Sequence, residues 1–178
     1  MEYMFLPLKR YAEFSGRSRR MEFWMWVLFQ ALLAGAFVIG AIGLAGSTII
    51  GGNAEQVLAG GMAVIGVLLL WVLLSLAFFI PNLAVTVRRL HDTDRSGWWI
   101  MLYWGPYLAG LVLTPAMMGA AANGGNLETM MSVSMLFSGA QLIGSLVLLV
   151  FLFIDGAPGP NRFGMDPKGR ADAGNVFA

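Results

Sequence analysis

The densest polar run of the chain, Arg88–Trp99, holds the residue types best suited to chemistry. It contains three of the eleven basic residues, two carboxylates, the only histidine and a tryptophan pair. Histidine titrates near neutral pH, so His91 beside Asp92 could take part in acid–base catalysis. Guanidinium groups bind carboxylates and phosphates, so Arg88 and Arg89 could instead hold an anionic ligand or form ion pairs.

Two further polar motifs flank the apolar part of the chain, one at residues 14–24 and one at residues 155–167. Arginines of the first motif and of the central run could line a pocket for a phosphate-bearing ligand such as a lipid headgroup. The alternative is a structural latch, in which these arginines pair with Glu22, Asp92 and Asp155. The candidate residues for either role are Arg17, Arg20, Glu22, Arg88, Arg89, His91, Asp92 and Asn161.

Catalysis is the interpretation that the motifs favour least. Adjacent residues of a helix point about 100° apart, so Asp92 need not orient His91. The serines near these motifs do not lie in a recognisable nucleophile elbow. We therefore expect His91 to form a hydrogen bond with one of the flanking motifs. The chain has no cysteine and one histidine, so disulfides and thiolate catalysis are excluded, and we predict no cofactor and no metal site.

The composition places the chain among membrane proteins. Hydrophobic residues make up 58% of it and charged residues only 12%, whereas soluble domains carry about 25% charged residues. The twelve Phe and six Trp would be hard to bury in so short a soluble chain. In a bilayer the same side chains face lipid.

Four uncharged segments are long enough to cross the roughly 30 Å hydrocarbon core as helices. They are residues 23–44, 58–80, 98–119 and 130–154. We expect the third span to be broken at Gly105–Pro106 and at Pro115. If the second span continues as a helix past Pro81, Arg88 and Asp92 stand at i and i+4 and can pair.

The remaining segments complete an all-α fold, which we predict to be a four-helix transmembrane bundle of two hairpins forming a single membrane domain over residues 1–178. Residues 1–20 suggest a short amphipathic helix at the membrane interface. Residues 46–56 and 120–129 are connectors rich in small residues. Residues 155–178 form a Gly- and Pro-rich tail, which we expect to be irregular and to dock against the central run.

Basic residues predict the orientation of the chain. Five lie within residues 1–20, three in the central run and three in the tail, and the other two connectors hold none. The positive-inside rule therefore predicts that both termini and the central run lie in the cytoplasm. Trp24, Trp98 and Trp99 are predicted to anchor the interface, and Ser96 can cap the helix that starts beside the tryptophan pair.

The three motifs together resemble the signature of a bacterial inner-membrane family, domain-of-unknown-function family 805. The matching residues are Phe14–Arg17, Arg20, Glu22 and Trp24, then Arg88–Asp92 and Ser96–Trp99, then Gly156, Gly159, Asn161, Gly164, Asp166 and Pro167. Phe163 stands where the family usually has tyrosine. The resemblance covers essentially the whole chain and implies a four-span bacterial inner-membrane protein. It implies no reaction, ligand or catalytic residue.

Three functional hypotheses follow. The first is a non-catalytic membrane module whose cytoplasmic Arg-rich motif cluster binds an anionic lipid headgroup or a partner protein. The second is a small oligomeric transporter or channel, although no Asp, Glu, Lys, Arg or His lies within the predicted spans. The third is a lipid-modifying enzyme that uses His91 and Asp92. Membrane lipids are the expected partners, a homo-oligomer or a membrane-protein partner is left open, and no nucleic acid is expected.

Overall fold

The computed structural model describes residues 2–122, 124 and 126–169, and the secondary structure of this part is helical. The α-helices are α1 (Glu2–Lys9), α2 (Arg20–Gly51), α3 (Ala54–Asp92), α4 (Met101–Ala122) and α5 (Leu127–Phe153), and a 3-10 helix (Gly97–Ile100) precedes α4. Helices α2 to α5 are each long and apolar enough to cross a membrane. The predicted all-α fold with four candidate spans is confirmed.

The connector expected at residues 46–56 is much shorter than predicted. Helix α2 continues to Gly51 and α3 begins at Ala54. A helix satisfies its own backbone in lipid, so small residues near its end need not terminate it. The turn between the two helices is closed by a capping box, in which the backbone N–H of Gln56 donates to Asn53 Oδ1 at 3.0 Å and the N–H of Asn53 donates to Gln56 Oε1 at 3.3 Å.

The expected proline breaks are also wrong. Helix α4 runs without interruption through Pro106 and Pro115, and α3 passes Pro81 and ends at Asp92. A proline removes one N–H, which leaves the carbonyl four residues earlier without its helical donor. At Pro81 this carbonyl belongs to Ala77, and it accepts a hydrogen bond from the Tyr11 hydroxyl at 2.6 Å. A side chain from outside the helix thus replaces the missing donor.

The chain divides into two compact units, the first formed by Met1–Phe14 with Met21–Val85 and the second by Ser15–Arg20 with Thr86–Ala178. In the first unit, α2 and α3 pack as an antiparallel pair. Trp26 contacts Phe78 and Phe37 contacts Trp71, with ring centroids 5.4 and 5.2 Å apart. The side chain of Asn82 adds a polar contact to the pair, because its Oδ1 accepts from Trp26 Nε1 at 2.6 Å.

In the second unit, α4 and α5 form the other antiparallel pair. Trp99, just before α4, contacts Phe151 near the end of α5 with ring centroids 5.1 Å apart. At Gly144 the backbones approach so closely that a Cβ would collide with the carbonyl oxygen of Leu102. Pro106 deprives that same carbonyl of its helical donor. The small residue therefore packs directly against the backbone that proline exposes.

Candidate functional site

The polar centre of the second unit is the carboxylate of Asp92, in the last turn of α3. It accepts a hydrogen bond from Arg17 Nε at 3.0 Å, lies 2.9 Å from Arg17 Nη2, and accepts from Arg89 Nη1 at 2.6 Å. The side chains of Arg17, Arg89 and Asp92 are almost completely buried. Two cations therefore share one carboxylate away from solvent, where removing that carboxylate would leave Arg89 without its nearest counter-charge.

Arg17 also holds the tail. Its Nη1 donates to the carbonyl oxygen of Gly159 and its Nη2 to that of Ala157, both at 2.6 Å. A second carboxylate, that of Asp166, lies 4.0 Å from Arg17 Nη2. One guanidinium thus joins the end of α3 to three positions of the tail. The fork of five donors makes arginine suited to such a multiple contact.

The C-terminus of α5 is covered by two guanidinium groups. Arg89 donates to the carbonyl oxygens of Leu152, at 3.2 Å, and Ile154, and Arg20 Nη1 donates to that of Phe153 at 3.2 Å. The last carbonyls of a helix have no intrahelical donor and carry partial negative charge. The arginines therefore cap α5 in place of the glycine that commonly ends a helix.

The tail docks against the end of α3 through backbone and amide contacts. The N–H of Ala157 donates to the carbonyl of Asp92 at 2.8 Å, and Asn161 Nδ2 donates to that of His91 at 2.9 Å. Gly156 packs so tightly on the Asp92 carboxylate that a Cβ would overlap it. The expected docking of the tail against the central run is confirmed as far as residue 169; residues 170–178 lie outside the described part.

His91 is held between the N-terminal motif and the tail. Its Nδ1 lies 3.2 Å from the carbonyl oxygen of Gly16, so this nitrogen carries the proton. Its ring stacks on Phe163 with centroids 3.8 Å apart and an angle of 2° between the planes. The expected hydrogen bond to a flanking motif is present. A histidine packed in this way is suited to positioning the chain segments around it.

The exposed edge of the site lies beside the end of α5. Arg20 Nη2 is 3.3 Å from Asp155 Oδ2, and Lys168 donates to Asp155 Oδ1. The hydrogen bond from Lys168 is the main reason why the pKa of Asp155 lies below its ordinary value. Arg19 Nε donates to the carbonyl of Pro167 at 2.6 Å. Two basic side chains, those of Arg20 and Lys168, therefore contact a single carboxylate.

The structure brings together most of the residues singled out from the sequence. Arg17, Arg20, Arg89, His91, Asp92 and Asn161 meet in the second unit through the contacts above. Arg88 is fully buried in the same turn of α3, and Glu22 is buried in α2, within the first unit. The ion pair within the last turn of α3 joins Arg89 to Asp92 at i and i+3.

The tryptophans proposed as interface anchors differ in exposure. Trp98 is 77% exposed and Trp99 is 42% exposed, both on the 3-10 helix, whose first turn is capped by Ser96. Trp24 is half-buried on α2 and contacts Phe23 edge to face.

Sequence reasoning missed two contributors to the site, Arg19 and Lys168. One signal for Lys168 was available: Asp166 precedes it in a Pro-containing turn, and Asp166 Oδ1 accepts from the N–H of Lys168 at 2.9 Å. Such a turn fixes the direction of the chain towards Asp155. Across residues 2–122, 124 and 126–169, no three His, Asp or Glu side chains are grouped to hold a metal ion.

Comparison with known proteins agrees with this description. The family described as "Protein of unknown function (DUF805)" matches residues 11–165. The chain is 34% identical to inner membrane protein YhaI of Escherichia coli K12, over 94% of this chain and 97% of that protein. It is 32% identical to inner membrane protein YhaH of the same strain, over 94% and 98%. Uncharacterized protein YiiR is 30% identical over 87% and 86%.

No solved structure matches the chain. The family match covers most of the sequence and includes the first two polar motifs and residues 155–165 of the third. The full-length relatives carry inner-membrane names, and four helices of this chain are long and apolar enough to cross a membrane. The chain therefore belongs to the DUF805 family of proteins of unknown function and is an inner-membrane protein.

Proposed function

We propose that this protein is a non-catalytic membrane module whose Arg-rich cluster binds an anionic lipid headgroup through its exposed edge. The observation that carries the proposal is the setting of Arg20. Its side chain is 43% exposed while it caps α5 at Phe153. Phe153 and Ile154, at 55% and 43% exposure, are apolar surface beside it. A cation next to exposed apolar side chains at the end of a spanning helix is suited to a lipid headgroup.

The difference in burial among the arginines supports two roles within the cluster, one structural and one in binding. Arg17, Arg88 and Arg89 are buried, and Arg17 and Arg89 are engaged by Asp92 and by backbone carbonyls. We assign them to the latch that holds the tail. Arg20 and Lys168 face outwards, and Asp155 is the one carboxylate that both contact among the described residues. Their combined charge exceeds that of the carboxylate, which favours an anion at this edge.

The same proposal includes an orientation with both termini in the cytoplasm. All Lys and Arg residues lie in the N-terminal segment, the central run and the tail. These segments contribute Ser15–Arg20, the end of α3 and residues 155–169 to the second unit. The cytoplasmic leaflet of a bacterial membrane is the one whose anionic surface attracts such residues.

Catalysis by His91 and Asp92 is not proposed, because both groups have other engagements. The Asp92 carboxylate accepts from two guanidiniums, and the His91 ring is stacked on Phe163. Transport is not proposed because no contact described above favours it.

The test compares lipid retention by variants of the full-length protein. The protein is reconstituted in nanodiscs containing phosphatidylcholine and phosphatidylglycerol, and bound lipid is measured by native mass spectrometry after release. A basic residue near an anionic surface contributes about 1 kcal/mol, which corresponds to roughly fivefold in affinity. Arg20→Gln and Lys168→Gln should each reduce retained phosphatidylglycerol by about that factor and leave phosphatidylcholine unchanged.

Arg162→Gln is the matched control, since it removes the same charge from an exposed arginine that pairs with Asp94. It should retain nearly as much phosphatidylglycerol as the unmodified protein. Equal retention by all three variants would overturn the proposal. Release of a polypeptide in place of lipid would assign the cluster to a protein partner.

A further inference from the structure

A groove between α4 and α5, in the second unit, is a separate candidate site. It has a volume of about 700 Å³, and the residues that line it are drawn from 106–117 of α4 and 130–141 of α5. This volume lies in the range of about 300–1,000 Å³ that is typical of small-molecule sites. Both lining segments belong to candidate membrane spans, so a bilayer would be the source of molecules that enter the groove.

One end of the groove lies near the point where the two helices touch. Gly144 packs against the carbonyl of Leu102 one turn beyond the lining. Gln141 lies one turn from Gly144 and lines the groove at this end. An elongated molecule that lies along the groove would have one of its two ends beside Gln141.

The side chain of Gln141 favours an occupant with a polar group. Its Oε1 atom is buried and accepts no hydrogen bond from the residues that the structure describes. A buried amide without a partner is unfavourable by several kcal/mol in an apolar medium. A plain hydrocarbon chain in the groove would leave this oxygen unsatisfied. A hydroxyl group on the occupant would supply the donor once the Gln141 amide rotates towards the groove.

The remaining lining decides the charge of the occupant. It consists of apolar side chains with the hydroxyl-bearing Tyr107, Thr114, Ser134 and Ser138, and none of the described residues that line the groove is charged. A phosphate or carboxylate would lose its hydration there without gaining a counter-ion. An uncharged hydroxyl loses far less on desolvation and can bond to an amide.

We propose that the α4–α5 groove binds a neutral amphiphile from the bilayer, a long hydrocarbon chain with an uncharged hydroxyl that donates to Gln141. This site is independent of the headgroup site at Arg20. The two differ in the charge of their ligand and in the helix ends that form them.

The test uses photolabelling of the full-length protein in phosphatidylcholine nanodiscs. The probe is a hexadecanol that carries a diazirine on its chain, and labelled peptides are identified by mass spectrometry. Label should map to residues within 106–141, and unlabelled 1-hexadecanol should compete better than hexadecane or hexadecyl phosphate. Gln141→Leu should weaken competition by hexadecanol about threefold to tenfold, the net effect of one hydrogen bond.

A variant that fills the groove with a large side chain, together with a matched control on α5, tests where the probe binds. Gly110 lines the groove and Gly139 does not, and no atom lies within 4 Å of a Cβ added at either. Gly110→Phe should abolish labelling, and Gly139→Phe should leave it unchanged. Equal competition by hexadecane, with no effect of Gln141→Leu, would reduce the groove to ordinary lipid-facing surface and overturn the proposal. Stronger competition by hexadecyl phosphate, or cross-links between two copies of the chain in place of probe labelling, would also overturn it.

Discussion

Asp92 is the residue on which the polar cluster depends most. Its carboxylate accepts hydrogen bonds from two buried guanidiniums, and its backbone carbonyl accepts a hydrogen bond from the N–H of Ala157 in the tail. A buried ion pair adds little to stability compared with an apolar replacement, but loss of one partner is severe. The cluster therefore specifies one arrangement of three chain segments.

Asp92→Asn should destabilise the protein by about 3–5 kcal/mol, because it leaves Arg89 buried without its nearest counter-charge and leaves Arg17 with the more distant carboxylate of Asp166. The midpoint of thermal unfolding in detergent measures the effect. Asp94→Asn is the isosteric control, since Asp94 pairs with Arg162 at the surface and its loss should change stability by less than about 1 kcal/mol. Equal shifts for the two variants would contradict the assignment of Asp92 as the centre of the cluster.

Tyr11 should stabilise helix α3 at Pro81, where the helix lacks one backbone donor. Tyr11→Phe removes the donor to the Ala77 carbonyl and should lower the free energy of unfolding by about 1 kcal/mol. In a Pro81→Ala background the restored N–H can bond to Ala77, so Tyr11→Phe should then be almost neutral. A double-mutant cycle measures this coupling. Purely additive effects of the two substitutions would show that Tyr11 does not replace the missing donor.

The ion pair between Asp155 and Lys168 should be visible in a pH titration. The lowered pKa of Asp155 means that its contribution to stability is complete above its ordinary pKa of 3.8 and is lost as pH falls through the lowered value. Lys168→Gln removes the main cause, so the pKa should rise towards 3.8. The carboxyl ¹³C shift of Asp155 reports the titration, and Lys9→Gln should leave it unchanged.

The sequence identified the residues of the cluster more reliably than their partners. Residue type and spacing allowed Arg88 to pair with Asp92, whereas the pair described within the helix is Arg89 with Asp92. Both spacings are compatible with a helix. Which face of the last turn meets the tail depends on long-range packing, and this information is absent from local spacing.

At the level of helices, the hydropathy pattern predicted every span, but the breaks predicted from the proline positions were wrong. Pro106 and Pro115 were expected to break α4, and the helix continues through both. In lipid the alternative to a helix is an unsatisfied backbone, so a local defect is tolerated when neighbours compensate for it. Tyr11 at Ala77 illustrates such compensation, and it could not be predicted because the two residues lie 66 positions apart.

Gly144 should determine how closely α4 and α5 approach. Gly144→Ala would place a methyl group against the Leu102 carbonyl and force the helices apart, with an expected loss of about 1–3 kcal/mol. Gly139→Ala, on the same helix with open space around it, should be neutral or slightly stabilising because alanine favours helix. Thermal unfolding of the two variants tests the contrast. A stable Gly144→Ala variant would mean that the helices can separate without loss.

At the level of the whole molecule, the chain folds as two compact units that are not consecutive in sequence. Residues 15–20 belong with the segment from Thr86 onwards, although the segment from Met21 to Val85 lies between them in sequence. Arg17 makes this possible by bonding to Asp92 and to the tail, 75 and 140 or more positions away. Composition alone predicted a membrane protein, and the placement of the basic residues predicted that the three polar motifs lie on one side of the membrane.

The proposed orientation makes a prediction for the intact protein in cells. The chain has no cysteine, so a single introduced cysteine is labelled uniquely. Glu55→Cys and Glu128→Cys, at the starts of α3 and α5, should react with a membrane-impermeant maleimide added outside spheroplasts. Lys9→Cys, at the end of α1, should react only after the membrane is permeabilised. The opposite pattern would invert the topology, and it would move the Arg-rich cluster to the periplasmic face, where the positive-inside rule does not place it.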